Sequence, residues 1–473
     1  MSDAIEAPRP APRLPLPFLI VLGLMTALFI AAGVMRSNRS TLRGDETVTL
    51  LWNRESQTPM EMIQQGAQRQ TSPAPLYYLV DRTFDESRDR LNYLGLNYSG
   101  YYRLPSVLCT AGFGVAAALL LAFRLRREET PTGPTAWFVL LSGLATYWFH
   151  PKVFSFACTD RPYGLWNGLW LLSLAWLLCR PASTVGLAVL LSLLASTATA
   201  ACFQIFAVGA AFAVVGRLHG RRPQEILRDG LATFSVPALI GGYYALRSGQ
   251  ADPEVASDGD FSLLRFWLLT NLPAWLAAGT AGFLVWKRPK RSPDAVPVLA
   301  FGVLLLIIPL IYAVARSRGY PSPSRQYLWT ATGVPLCLFV AALGWSGLRS
   351  GRSTSVLALL IGGGLAAGYS VATFRQAPAR NDARILACLD RGSPLDVLLR
   401  QERPRSFYYL PTLGGIEAKN VSLLAEWVRV RYRDLPIGTK LVVLSDAEGQ
   451  LKGDVVDTPP GKWPQWIDLT LPR

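Results

Sequence analysis

The chain has 473 residues, of which 51% are hydrophobic and only 17% charged, with 14 tryptophans and a formal net charge of +15. Its mean hydropathy of +0.25, with apolar residues gathered in long blocks rather than periodic stripes, excludes an ordinary soluble globular chain. The basic excess is laid out as a topology signal and an attraction to anionic lipid heads, so it does not point to nucleic acid.

The first uncharged block runs from Leu14 to Met35. It follows Arg9 and Arg13, is longer than the apolar region of a typical cleaved signal and lacks a clear small-x-small cleavage site, which predicts a retained first span. Further blocks lie at 104–123, 134–149, 162–179, 181–216, 230–246, 266–286, 295–315, 326–348 and 353–374. The block at 181–216 is too long for one crossing and predicts two, turning near Ser196-Thr197-Ala198-Thr199. The expected architecture is thus a polytopic α-helical membrane protein with about eleven transmembrane helices.

Charge supports the same count. With a cytoplasmic N-terminus, the connections carrying Arg124, Arg126 and Arg127, then Arg180, then Arg217, Arg221, Arg222 and Arg228, then Lys287, Arg288, Lys290 and Arg291, then Arg349 and Arg352 all fall inside. Expected on the other side are the long loop 36–103, short connections at 150–161, 247–265 and 316–325, and the tail from Arg375. This divides the chain into a transmembrane module over 1–374 and a small C-terminal α/β domain over 375–473. The expected location is a cell (inner) membrane, with the first loop and the tail on the periplasmic or extracellular side.

Within the first loop, residues 45–55 and 58–69 and the segment PAPLYYLVDRTF each suit a helix, the last lying along the membrane surface with Tyr77, Tyr78 and Phe84 at headgroup level. The tail reads as a helix at 380–391, a strand in SFYYLP at 406–411, an amphipathic helix in NVSLLAEWVRVRYRDL, a strand in TKLVVLSD and a final WPQWIDLTL. The six cysteines are scattered, without CxxC or zinc-ligand spacing, and His150 and His219 fall on opposite sides of the membrane, which argues against a disulfide framework and a His-based metal site.

The polar residues that remain collect on one face. Asp45 and Glu46 follow the first span; Pro73-Ala74-Pro75-Leu76-Tyr77-Tyr78-Leu79 comes next; Tyr102-Arg103-Leu104-Pro105-Ser106 opens the second span. Thr159-Asp160-Arg161-Pro162-Tyr163 precedes the fourth span, and Ser324-Arg325-Gln326-Tyr327-Leu328 comes late. Plain readings exist for each: Asp45 and Glu46 as helix-start carboxylates, Asp160 in a local ion pair with Arg161 or Lys152, and Tyr77 and Tyr78 as interfacial packing. The outer loop RSRGYPSPSR, with Arg316, Arg318 and Arg325, runs against the positive-inside trend and calls for an anionic neighbour.

Taken in order, these five segments resemble the lipid-dependent GT-C glycosyltransferases, in particular the branch containing the lipid A aminoarabinose transferase and the protein O-mannosyltransferases. The resemblance covers roughly the first 330 residues. It implies a polyprenyl-phosphate sugar donor, a lipid, glycan or protein acceptor, and an inverting transfer on the non-cytoplasmic face. It places Asp45, Glu46 and Asp160 as catalytic residues, with Asp45 as base, and Arg161, Tyr163, Arg325, Tyr327, Arg103, Tyr77 and Tyr78 against the substrate. A divalent metal ion held by Asp45 and Asp160 is the cofactor it allows. Two departures stand out: Ser72 replaces a Lys common before the Pro pair, and Asp160 immediately precedes Arg161 where relatives carry Glu two residues before the Arg. The rival classes are a transporter or lipid flippase, which would place charge at mid-membrane depth, and a non-catalytic assembly protein with a GT-C-like fold.

Overall fold

The computed structural model describes residues 14–38, 46, 58–63, 74–91, 94, 96, 98–127, 134–179, 184–218, 220–248, 300, 302–304, 332–333, 335, 352–375, 407–409, 440–447 and 450–457. The expected spans at 266–286, 295–315 and 326–348 lie wholly or mostly outside them, as do Asp45, Arg325, Tyr327 and the expected tail helices.

The described chain is mostly helical. In order come α1 (Leu16–Asn38), α2 (Leu76–Leu91), α3 (Tyr98–Arg127), α4 (Pro134–Trp148), α5 (Pro151–Ala157), α6 (Tyr163–Cys179), α7 (Thr184–Ala195), α8 (Ala201–Leu218), α9 (Pro223–Ser248) and α10 (Arg352–Arg375). Two stretches, Leu16–Asn38 and Gly100–Arg126, are long and apolar enough to cross a membrane, and Ala136–Trp148, Tyr163–Cys179, Thr184–Ala195 and Ala201–Val214 are shorter apolar helices. Large apolar side chains stand exposed on α1 (Leu16, Ile20, Leu24, Leu28), α7 (Val185, Val189) and α9 (Leu231, Leu239, Leu246), the pattern of a chain whose outer surface is covered by something other than water. This much marks the protein as membrane-type.

Block lengths explain the helix boundaries well in places. The long block at 181–216 splits as its length requires: α7 ends at Ala195, α8 starts at Ala201, and the turn is held by Thr197 N to Leu194 O at 3.0 Å and Ala201 N to Ala198 O at 3.0 Å. Elsewhere the fold departs from the reading. α3 begins at Tyr98, ahead of the expected span at 104–123, and runs through Pro105. The expected loop at 150–161 contains α5, a short helix that Pro151 can open because the first-turn N–H is unpaired in any helix.

α6 is the centre of the packing. It is apolar all round and buried nearly all round, as such a helix must be. Its broadest contact is with α3, where Gly164 lies so close that an added Cβ would meet Ser106 Oγ and Thr110 Oγ1 at 2.6 Å. α1 packs on the other side of α3, α4 on α10, and α7 and α8 on α9. Aromatic rings knit these layers together: Phe29 stacks on Trp148 at 5.2 Å and meets Phe154 edge-on at 5.8 Å.

Several helix ends converge at one end of this bundle. The C-terminal end of α1 is there, since Cys158 Sγ donates to Gly33 O at 3.7 Å and Arg36 lies over the Phe154 ring. So is the C-terminal end of α10, whose Thr373 Oγ1 donates to Phe149 O at 2.7 Å and whose Phe374 lies 5.7 Å from Phe149. The start of α2 joins through Leu76 N to Ser196 O at 2.9 Å, in the α7–α8 turn.

In the tail, β1 (Phe407–Tyr409), β2 (Lys440–Ala447) and β3 (Gln450–Asp457) form a sheet in the order β1-β2-β3. β1 runs parallel to β2, with Phe407 opposite Val442, and β3 runs antiparallel, with Val443 opposite Asp454. The first two are the strands expected from SFYYLP and TKLVVLSD; β3 falls where the sequence reading assigns no element.

Candidate active site

The converging helix ends enclose a buried polar cluster in an otherwise apolar interior. Arg103, on the first turns of α3, is 1% exposed and grips Glu46 with both prongs of its guanidinium: Nε to Oε1 at 3.0 Å and Nη2 to Oε2 at 2.7 Å. Its remaining nitrogen, Nη1, donates to Ser37 O at the end of α1 at 3.3 Å. Glu46 Oε1 also accepts the Asp160 backbone N–H at 2.7 Å. One carboxylate thereby ties the first loop, α1, α3 and the α5–α6 connection to a single point. A bidentate guanidinium pair of this kind fixes geometry as well as charge.

Asp160 is fully buried between α5 and α6. Its Oδ1 accepts the Tyr77 hydroxyl at 2.9 Å, and the Asp81 carboxyl lies within hydrogen-bond reach of it. Burial, and next the Glu46 charge, push the Asp160 carboxyl up to about 8, against the opposing pull of the Tyr77 hydrogen bond, the Arg103 charge and a hydrogen bond with Asp81. Tyr77 is in turn held well above its ordinary value, by burial first and then by the Asp160 and Asp81 charges. A buried carboxyl raised in this way is the kind of group that gathers at a reacting site.

α2 supplies this cluster with one face. Tyr77, Asp81 and Asp85 recur every fourth residue, so they form a stripe, and all three are buried. The stripe is fastened to α3 by Tyr102 Oη donating to Asp85 Oδ1 at 2.5 Å and Tyr101 Oη donating to Phe84 O at 2.8 Å. The helix expected at PAPLYYLVDRTF is present as α2, but Tyr77 and Tyr78 are buried in the fold in place of lying at a surface, Tyr77 bonded to Asp160 and the two rings edge-on at 6.2 Å.

Glu46, Arg103, Asp160 and Tyr77 are thus brought together, and Asp160 bonds Tyr77 and Glu46, on other segments, in place of a local pair with Arg161 or Lys152. Arg161 follows Asp160 and is partly buried, its N–H donating to Thr159 O at 2.9 Å. Tyr163 opens α6 with its ring 4.8 Å from Phe156. Arg103 was expected against a leaving phosphate; its described bonds go to Glu46 and Ser37. Asp45, Arg325 and Tyr327 are outside the described residues. Asp81 and Asp85 are members of the cluster that the sequence reading did not single out, although their four-residue spacing from Tyr77 was visible.

For a divalent ion, Asp160 is the buried carboxyl nearest to a ligand's role, with Asp81 beside it, whereas Glu46 is engaged on both oxygens. Among the described residues no three metal-type side chains converge. No family model matches the chain, and no curated protein matches it.

Proposed function

We propose that the protein is a multi-pass membrane glycosyltransferase that moves one sugar from a polyprenyl-phosphate carrier to a lipid, glycan or protein hydroxyl on the non-cytoplasmic face. The observation that carries this reading is the buried cluster itself: a bidentate Glu46–Arg103 pair that positions the backbone of Asp160, beside Tyr77, at one end of an apolar helical bundle. Polar chemistry gathered at a bundle end suits an interfacial enzyme better than a transporter, which needs charge at mid-depth.

In the transfer, the acceptor oxygen attacks the anomeric carbon as the bond from that carbon to the phosphate oxygen breaks, and the lipid phosphate leaves with the electron pair. A carboxylate takes the hydroxyl proton, worth about 10²–10⁴-fold. Asp45, tethered by the chain to the anchored Glu46, is the base, with Asp160 as the second acid of the site. Glu46 and Arg103 position them, and Tyr77 orients Asp160. Arg161 and Arg325, with Tyr163 and Tyr327, hold the donor, and the guanidinium groups stabilise charge as it builds on phosphate. A divalent ion, if bound, would sit on Asp160 and Asp45 and offset the charge of the leaving phosphate.

Because Ser72 stands where relatives carry Lys, Arg325 takes a larger share of phosphate binding. Arg325→Ala should weaken donor binding and slow single-turnover transfer together, and Arg325→Lys should recover only part, lacking the planar two-pronged donor. Donor affinity and transfer rate unchanged in the Ala variant would remove the 316–325 loop from the site.

The C-terminal ends of α1 and α10 lie at the same end of the bundle, which supports a first loop and a tail on one side, and the proposal puts that side outside. Single cysteines introduced into the tail should react with a membrane-impermeant maleimide in intact cells. Labelling only after lysis would contradict an odd number of spans.

A further inference from the structure

α6 carries a second buried polar feature that the cluster around Asp160 does not use. Asn167 stands one helical turn beyond Tyr163, and Trp170 one turn beyond Asn167, so the three share a face of the helix. Asn167 is 1% exposed, and neither its Oδ1 nor its Nδ2 has a hydrogen-bond partner; Trp170 is 0% exposed, and its indole N–H is likewise unpartnered. Of the two further indoles on α6, the nearer, Trp166, is treated differently. Trp166 Nε1 donates to Gln204 Oε1 on α8 at 2.8 Å. An amide retained to join helices would bond across to a neighbour in this way. Asn167 does not, although a buried amide with no partner is strongly disfavoured in an apolar interior.

We propose that Asn167 and Trp170 form the inner end of the substrate site and recognise the hydroxyls of the transferred sugar; this rests on the transferase reading given above. The chemistry of the open atoms selects the ligand class. Asn167 Oδ1 needs a donor, and Asn167 Nδ2 and Trp170 Nε1 need acceptors. Phosphate offers acceptors only and a metal cation is repelled by N–H donors, whereas a hydroxyl supplies both roles. At 1.5 Å per residue, Asn167 lies about 6 Å and Trp170 about 10 Å along the helix from Tyr163, a distance that one sugar ring with its hydroxyls can bridge. Asp160 sits just ahead of Tyr163 in the chain, so the stripe leads inward from the reacting end. The aromatic faces of Tyr163 and Trp170 suit the C–H faces of a sugar.

The test uses the full chain in lipid nanodiscs, with two pairs of probes: polyprenyl-phosphate monosaccharides against sugar-free polyprenyl phosphate, and a decyl glycoside against a chain-matched polyoxyethylene ether. The parent should favour the sugar-bearing member by about tenfold or more, as expected where a site is built to bond a hydroxyl. Asn167→Leu should abolish that preference while melting no lower than the parent, and Trp170→Phe should reduce it severalfold with the ring kept. A preference that survives Asn167→Leu, an Asn167→Leu protein that melts several degrees lower, or a parent with no preference in either pair overturns the proposal, the amide then being held by water or by the chain. The outcomes separate the two readings. Discrimination between the glycoside and the ether that depends on Asn167, without any binding of phosphate lipids, supports the subsite and rejects the donor. Phosphate lipids that bind equally with and without sugar do the reverse.

Discussion

Asp160→Asn should lower sugar transfer by about 10²–10⁴-fold while leaving the protein at least as stable as the parent at neutral pH. Asn keeps the acceptor for Tyr77 Oη and, unlike Asp160, has no proton to take up when it is buried. The sign of the pH dependence follows from the raised carboxyl. In the unfolded chain Asp160 ionises near 3.8, whereas in the fold it holds its proton to about 8. Between those values the folded state binds more protons, so this residue's contribution to stability falls as pH rises from about 4 to about 8 and is level above that. Activity has the opposite slope, rising through about pH 8, where Asp160 serves the site as the carboxylate beside the base Asp45. Melting curves between pH 5 and 9 should therefore be flatter for the Asn variant. An unchanged slope, or near-parental turnover, would mean that Asp160 neither titrates in this range nor serves the reaction.

The second large effect concerns the Glu46–Arg103 pair. Arg103→Ala leaves Glu46 buried without its counterion, which costs about 3–5 kcal/mol, enough to prevent accumulation of a marginally stable protein. Arg103→Lys should recover part of this, keeping the charge and losing the bidentate grip. The decisive comparison is the double variant Glu46→Leu with Arg103→Leu, which should be far more stable than either single change because no charge is left stranded. Its activity should nevertheless stay low, since the anchor that positions the Asp160 backbone is gone. Additive stability losses in the melting temperatures would show that the two side chains act independently.

How much of this was legible in the sequence differs from element to element. The helices α1, α4, α6, α7 and α8 fall on uncharged blocks whose lengths set their ends within a few residues, because apolarity and length are one-dimensional properties. The turn between α7 and α8 followed from arithmetic on a block too long for one crossing. The early start of α3 did not: Tyr98-Ser99-Gly100-Tyr101-Tyr102-Arg103 is too polar to read as span, and it is helical because Tyr101 and Tyr102 bond α2 and Arg103 pairs with Glu46. Those partners are 17 to 57 residues away in sequence, and no periodicity encodes them.

The same limit applies within the site. That Glu46, Asp160, Arg103 and Tyr77 would gather on one face was legible from their order along the chain. That Glu46 would be the anchored acid, and that Tyr77 would bond Asp160 rather than merely sit at a surface, came only with the tertiary contacts. Asp81 and Asp85 were within reach of a helical-wheel reading of PAPLYYLVDRTFDES, because they share the Tyr77 stripe. In the tail, the charged, Gly-containing QLKGDVVD disguised the second strand of the β2–β3 pair, since it lacks the apolar alternation of a half-buried strand.

The central claim is sugar transfer from a polyprenyl-phosphate donor, and the most direct measurement is single-turnover release of polyprenyl phosphate from a panel of radiolabelled polyprenyl-phosphate monosaccharides by the purified protein in nanodiscs with envelope acceptors. The account predicts label moving to an acceptor for at least one donor, with stoichiometric carrier release and loss of both in Asp45→Asn and Asp160→Asn. Carrier and sugar that stay joined across the panel, or transfer that both variants carry out at the parental rate, would contradict it.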